Sequence, residues 1–151
     1  MIDDLPAIPV SEYAPGSPDK SGADDKYKKS GLNEEKTARY HQLLISCMQT
    51  KKPYLDQELS LFDLATLCGI QANHLSQVIN SREGQNFLDF INSYRVETVK
   101  EKILAGDLER HTLLGIALDS GFNSKASFNR AFKKHTGITP TEFGKQALSK
   151  S

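Results

Sequence analysis

The chain has 151 residues, 38% of them hydrophobic, with nineteen Lys and Arg balanced by nineteen Asp and Glu. That composition supports one compact domain plus a tail and excludes two large cores; no apolar run reaches the roughly eighteen residues a bilayer span needs, and no positive patch precedes an apolar stretch at the amino end. The zero net charge conceals an asymmetry: residues 1–32 hold four Lys against six acids, whereas residues 112–151 hold five Lys and one Arg against Asp119 and Glu142, which gives the carboxyl-terminal part the basic character that phosphate contact requires.

Residues 1–32 contain four of the six prolines and three of the ten glycines and show no amphipathic period, so they are expected to be a disordered linker. Asn33 is a good N-cap, followed by Glu34 and Glu35 and by Ala38, His41, Leu44, Ile45 and Met48 at helical spacing. A helix of about four turns is predicted there, ending before Pro53. Ser60 and Asp63 form a capping-box pattern for a short helix that halts near Gly69, and Leu75, Val78 and Ile79 lie on one face of a second. A short helix, a glycine turn and a second helix give helix-turn-helix spacing over about 60–82. Asn86 and Asp89 cap the longest helix, about 86–105, whose Phe87, Phe90, Ile91, Tyr94, Val99 and Ile103 can pack against elements on both sides.

The pattern then repeats. Leu64-Ala65, Gly69-Ile70, Leu75, Val78-Ile79, Gly84, Asn86 and Phe90 are matched by Ile116-Ala117, Gly121-Phe122, Phe128, Ala131-Phe132, Gly137, Thr139 and Phe143, at an offset of 52 residues before the turn and 53 after it. A second helix-turn-helix is therefore predicted over about 112–135, followed by a helix start at Thr139, Pro140 and Glu142. The fold class is all-α: two helix-turn-helix subdomains joined by a central linker helix.

Two such units on a connecting helix suit a duplex, because recognition helices about 34 Å apart enter successive major grooves on one face. In the first copy the apolar positions face inward and leave Ala72, Asn73, Ser76, Gln77 and Asn80 outside, together with Gln71. Asn and Gln suit adenine, and Ala suits a thymine methyl. In the second copy Lys125, Ala126, Ser127, Asn129, Arg130, Lys133 and Lys134 are the candidates: Arg130 or Lys125 for guanine, Lys133 and Lys134 for phosphate. Neither outward set contains an acid, and a carboxylate would repel the phosphates.

Residues from about 54 to 144 resemble the DNA-binding domain of the AraC/XylS family of transcription regulators. The resemblance is strongest in Ile116-Ala117, Ser120-Gly121-Phe122, Ser127-Phe128, Arg130, Phe132-Lys133-Lys134, Gly137, Thr139-Pro140 and Phe143. It implies a homeodomain-like, AraC-type domain over residues 33–151, sequence-specific binding of double-stranded DNA, base-facing roles for Ala72, Asn73, Ser76 and Gln77 in the first unit and Lys125, Ala126, Ser127, Asn129 and Arg130 in the second, and Arg95 at the arginine position of the linker helix. It leaves room for contact with RNA polymerase and for a homodimer formed through regions outside this chain. Three positions depart from the family pattern: Gly115 stands where Glu is frequent, Asn80 where a base is frequent, and Gly144 where arginine is common.

Some members of that family are cytoplasmic tails of membrane-anchored sensors, and the run Tyr27-Lys28-Lys29-Ser30-Gly31-Leu32 looks like a linker of that type. The expectation is a carboxyl-terminal fragment located in the cytoplasm, with no membrane contact of its own. No cofactor and no enzymatic activity are expected: His41, His74, His111 and His135 are isolated, and no phosphate loop, nucleophile elbow or zinc spacing occurs. Cys47 and Cys68 sit inside apolar helical patterns and are expected to fill core space. The alternative is a helix-turn-helix protein-interaction module without DNA binding, for which the zero net charge is the main support.

Overall fold

The structure, a computed structural model, describes residues 32–150. The expected linker over residues 1–32, including the run from Tyr27, lies almost wholly outside the described residues. The described residues form seven α-helices with short 3-10 and π-helical turns and no strand, and none of these helices is long and apolar enough to cross a membrane.

Helix α1 (Glu34–Lys51) begins at Asn33, whose side chain accepts from the Lys36 amide at 2.8 Å. The chain divides between Arg39 and Tyr40, and everything below lies in residues 40–151. After α1, Lys52 adopts φ 48° and a 3-10 turn, Pro53–Leu55, leads into the first helix-turn-helix. There α2 (Leu61–Cys68) is opened by the reciprocal Ser60–Asp63 capping box and closed by Gly69. Helix α3 (Ala72–Val78) continues into a wider π-helical turn, Ile79–Glu83.

The linker helix α4 (Phe87–Leu104) starts at Asn86, which accepts from the Asp89 amide at 2.8 Å. At 1.5 Å per residue its 18 residues span about 27 Å. Beyond a 3-10 turn, Asp107–Glu109, come α5 (Leu113–Asp119), α6 (Lys125–Thr136) and α7 (Pro140–Lys150).

Two cores form, one around each end of α4. The first gathers Leu44, Met48, Leu64, Leu75, Val78 and Ile79 on Phe90 and Ile91. The second gathers Ile116, Ala117, Phe122, Phe128 and Phe132 on Val96, Val99 and Ile103. Burial of these side chains is what converts the weak propensity of seven- and eight-residue helices into stable structure. The linker helix thus belongs to both copies, its amino-terminal half to the first and its carboxyl-terminal half to the second.

The thiols fit this core partly. Cys47 is buried, whereas Cys68 is only half-buried; burial and a hydrogen bond with Cys47 push the Cys68 thiol up to about 12, so almost no thiolate forms near neutrality. His41 is half-buried, and its Nε2 lies 2.6 Å from Glu83 Oε2.

Candidate nucleic-acid interface

The two reading helices are α3 and α6, each the second helix of its copy. Neither contains an Asp or Glu.

On α6, Phe128, Ala131 and Phe132 are buried, and Lys125, Ala126, Asn129, Arg130, Lys133 and Lys134 are exposed. Spacing explains this split: apolar residues at i, i+3 and i+4 turn one stripe to the core, leaving the intervening positions to solvent. Ser124 caps the helix by accepting from the Ser127 amide at 3.1 Å. Ser127 itself is half-buried, and its hydroxyl lies 2.9 Å from Ser124 Oγ and 3.2 Å from the Ser124 carbonyl oxygen. The sequence pattern put Ser127 on the open face; its hydroxyl is occupied by the cap.

Lys134 also has a partner. Its Nζ lies 2.7 Å from Asp89 Oδ2 at the start of α4, so an acid borders the basic face although none lies within either reading helix. Both side chains are partly exposed, and an ion pair of that kind contributes at most about 1 kcal/mol.

A shallow groove runs beside α6, lined by Asn129, Arg130, Lys133, Lys134, Thr139 and Thr141. Thr139 is the residue before α7 and Thr141 lies in its first turn, where the helix dipole favours an anion, although Pro140 has no N–H and the Thr139 and Glu142 amides are taken by the capping box. Sequence reasoning treated Thr139 only as a cap and did not single out Thr141. The signal was present in Thr139-Pro140, since a helix starting there is bound to present its amino end near the preceding helix. Which face that end borders is a tertiary result. Thr139 and Glu142 complete a reciprocal capping box, with the Thr139 amide donating to Glu142 Oε1 at 2.9 Å; that bond, chiefly, holds the Glu142 carboxyl below its usual range.

The first copy presents a less open face. Asn73 and Asn80 are exposed, as is Gln71, but Ala72, Ser76 and Gln77 are half-buried. Ala72 packs against the first core, and the Gln77 amide oxygen is buried without a hydrogen-bond partner. The expectation that all five residues lie outside is therefore corrected for Ala72, Ser76 and Gln77, which are half-buried. Asn73 Oδ1 accepts from the His74 amide at 2.9 Å, leaving its NH₂ group to donate.

The two copies meet beneath these helices. Arg95 of α4 is buried at 7% exposure. Its Nε donates to the Tyr54 carbonyl at 2.7 Å, Nη2 to the Asp56 carbonyl at 2.9 Å and Nη1 to Asn92 Oδ1 at 3.3 Å. Burial lowers its pKa, with Asp56 acting in the opposite sense, and arginine remains charged at any physiological pH.

A helix-turn-helix domain family matches residues 64–146, more than half of the chain. This chain belongs to the AraC-type helix-turn-helix family. An HTH-type transcriptional regulator of Staphylococcus aureus (strain MSSA476) is 36% identical over 90 residues, which cover 60% of this chain and 12% of that protein. The HTH-type transcriptional regulator GlxA of Rhizobium meliloti is 26% identical over 110 residues, 73% of this chain and 33% of that protein. The chain thus spans only a minor part of these curated relatives. Among solved structures, a Listeria innocua protein of unknown function is 35% identical, with TM-score 0.58 over 69% of this chain and 93% of that one. An AraC-type transcriptional regulator from Chromobacterium violaceum shares the fold at 20% identity, with TM-score 0.61 over 76% and 96% of the two chains. The family is one of DNA-binding transcription regulators, and the all-α architecture of two helix-turn-helix copies on a linker helix agrees with it.

Proposed function

We propose that residues 33–151 read double-stranded DNA in a sequence-specific manner, with α3 and α6 in successive major grooves on one face of the duplex. The observation that carries this reading is α6. Five exposed side chains, Lys125, Ala126, Asn129, Arg130 and Lys133, share a carboxylate-free helix beside a groove edged by the amino end of α7. Arg130 is assigned to guanine, with Lys125 beside it, Asn129 to a base edge, and Ala126 to a thymine methyl. Lys133, Lys134, Thr139 and Thr141 are assigned to the backbone. In the first copy Asn73 and Asn80 are the outward amides, and Ala72, Ser76 and Gln77 contribute where the duplex presses closest.

The chain would act as the DNA-reading part of a larger transcription regulator working in the cytoplasm. Contacts with RNA polymerase or with a second copy fall to surfaces other than the two reading helices. The test is selection from a random-sequence duplex pool with the whole chain, followed by titration of the recovered site at several salt concentrations. The expected result is a site with two elements about one helical turn apart and an affinity that falls steeply with salt. No enrichment, with weak binding indifferent to sequence, would favour a protein-interaction module instead.

A further inference from the structure

The two cores have no buried residue in common. Packing on the shared helix orients each copy separately, so contacts made directly between the copies are what add rigidity to their relative rotation. Directional contacts cross the seam at two places: the partly exposed Lys134–Asp89 pair and a buried cluster around Arg95. Arg95 sits on α4 between Tyr94, which packs against the first core, and Val96, the first α4 residue of the second. Its guanidinium reaches the carbonyls of Tyr54 and Asp56 in the turn that leads into the first copy.

That same turn lies against the turn of the second copy. A Cβ built on Gly121 would stand 2.1 Å from the Tyr54 carbonyl oxygen and 2.7 Å from Arg95 Nε. One residue beyond Asp56, Gln57 Nε2 donates to the Leu118 carbonyl oxygen at 3.2 Å. The contact is backbone against backbone, and only a residue without a side chain allows it. The equivalent Gly69 has no such neighbour, since a Cβ there would meet nothing within 4 Å. Gly121 therefore has a docking role that Gly69 lacks.

We propose that Arg95, Gly121 and Gln57 form a latch that holds the turn at 53–57 on the turn at 118–121, and that this latch sets the spacing and rotational phase with which α3 and α6 meet DNA. Arg95 is in this sense a positioning residue. It touches no base; its planar fork fixes two carbonyls at once, which a lysine ammonium on a flexible stem does not do. The DNA part of this inference rests on the bipartite reading proposed above.

Two measurements on the whole chain test the latch, with Arg95→Lys and Gln57→Ala as variants. Gln57 is exposed and outside both cores, so its variant decides the matter if Arg95→Lys lowers the helical circular dichroism. The first measurement needs no DNA: residual dipolar couplings of the free protein. The wild type is expected to fit a single alignment tensor for both copies, and the variants to need two. Two tensors in the wild type, or one tensor in both variants, overturns the latch.

The second measurement compares the selected duplex with one carrying a single inserted base pair between its elements. The wild type is expected to lose about 30-fold or more in affinity, and the variants less than about 5-fold, because looser coupling lowers the effective concentration of the second copy at the correct spacing. Affinity for a duplex with only the α6 element should be unchanged. Variants that keep the wild-type spacing preference overturn the phase-setting role. A wild type that binds no bipartite site overturns the DNA reading and the phase-setting role with it, while the couplings still judge the latch in the free protein.

Discussion

The two helix-turn-helix copies follow one pattern of apolar residues, yet they differ in three respects that matter to function. The first reading helix is short, half-buried along much of its outer side and amide-rich, running into a π-helical turn; the second is twelve residues long and carries its Lys and Arg in the open. The capping devices are exchanged as well. Ser60–Asp63 is a reciprocal box where Thr112–Gly115 is one-way, and Thr139–Glu142 is reciprocal where Asn86 caps alone and Asp89 turns to Lys134. Finally, the turn glycine of the second copy is pressed against the other copy, and that of the first is not. A repeated core is thus compatible with divergent surfaces, because packing constrains only the inward positions.

The largest effect that sharpens this comparison concerns those glycines. Both have positive φ, 74° at Gly69 and 108° at Gly121. Gly69→Ala should cost about 1 to 2 kcal/mol of unfolding free energy from backbone strain alone. Gly121→Ala should exceed about 3 kcal/mol, because the methyl overlaps a carbonyl that is itself held by Arg95. Equal losses in denaturant titrations of the two variants would remove the asymmetry.

Next in size are the base-reading assignments on α6. Arg130→Ala is expected to change preference at one base position by about 1 to 3 kcal/mol, whereas Lys133→Ala should weaken all duplexes alike and reduce the salt slope by about 0.9. Uniform loss for Arg130→Ala across a panel of single-position variants of the site would move it to the phosphate set. Lys134→Ala should cost less than Lys133→Ala, since Lys134 gives up Asp89 on binding.

Asn80 allows a gain. It is exposed just after α3, in a copy whose reading helix carries no Lys or Arg, so Asn80→Lys should tighten binding to every sequence by a few-fold, on the order of 1 kcal/mol, and steepen the salt dependence. Unchanged affinity at low salt would mean that the first copy stands off the backbone at this point.

The smallest effect is on pH. Thr139 holds the Glu142 carboxyl below its ordinary range in the folded state. The resulting stabilisation is present above the unfolded carboxyl pKa of about 4.3 and disappears as pH falls through the lower folded value. Glu142→Gln should therefore flatten that part of the acid limb in unfolding measurements between pH 6 and pH 3. A limb of unchanged slope would show that the box does not titrate with folding.

Much of the architecture was legible beforehand because it depends on near-neighbour rules. Apolar residues at helical spacing, Ser60, Asn86 and Thr139 at caps, and glycine after the helices each act within a few residues of themselves. Their recurrence at a fixed offset revealed two copies of one motif. The face of α6 followed for the same reason. Ala72, Ser76 and Gln77 did not, because whether a position beside an apolar stripe is open depends on what packs there, and the first core, on which Ala72 packs, gathers residues from elsewhere in the chain. Lys134 was assigned to phosphate without its neighbour Asp89, 45 residues away.

By itself, then, the sequence determined an all-α chain of two helix-turn-helix copies, a carboxylate-free basic helix in the second, and a family whose members bind DNA. Each of these follows from local periodicity, capping and side-chain chemistry. Only the tertiary structure decided that the copies build separate cores on opposite halves of one helix, that the start of α7 borders the basic face, and that Arg95 and Gly121 join two turns more than sixty residues apart. Contacts of that kind rest on directional bonds and steric fit between segments distant in the chain, for which no local pattern in the sequence carries a signal.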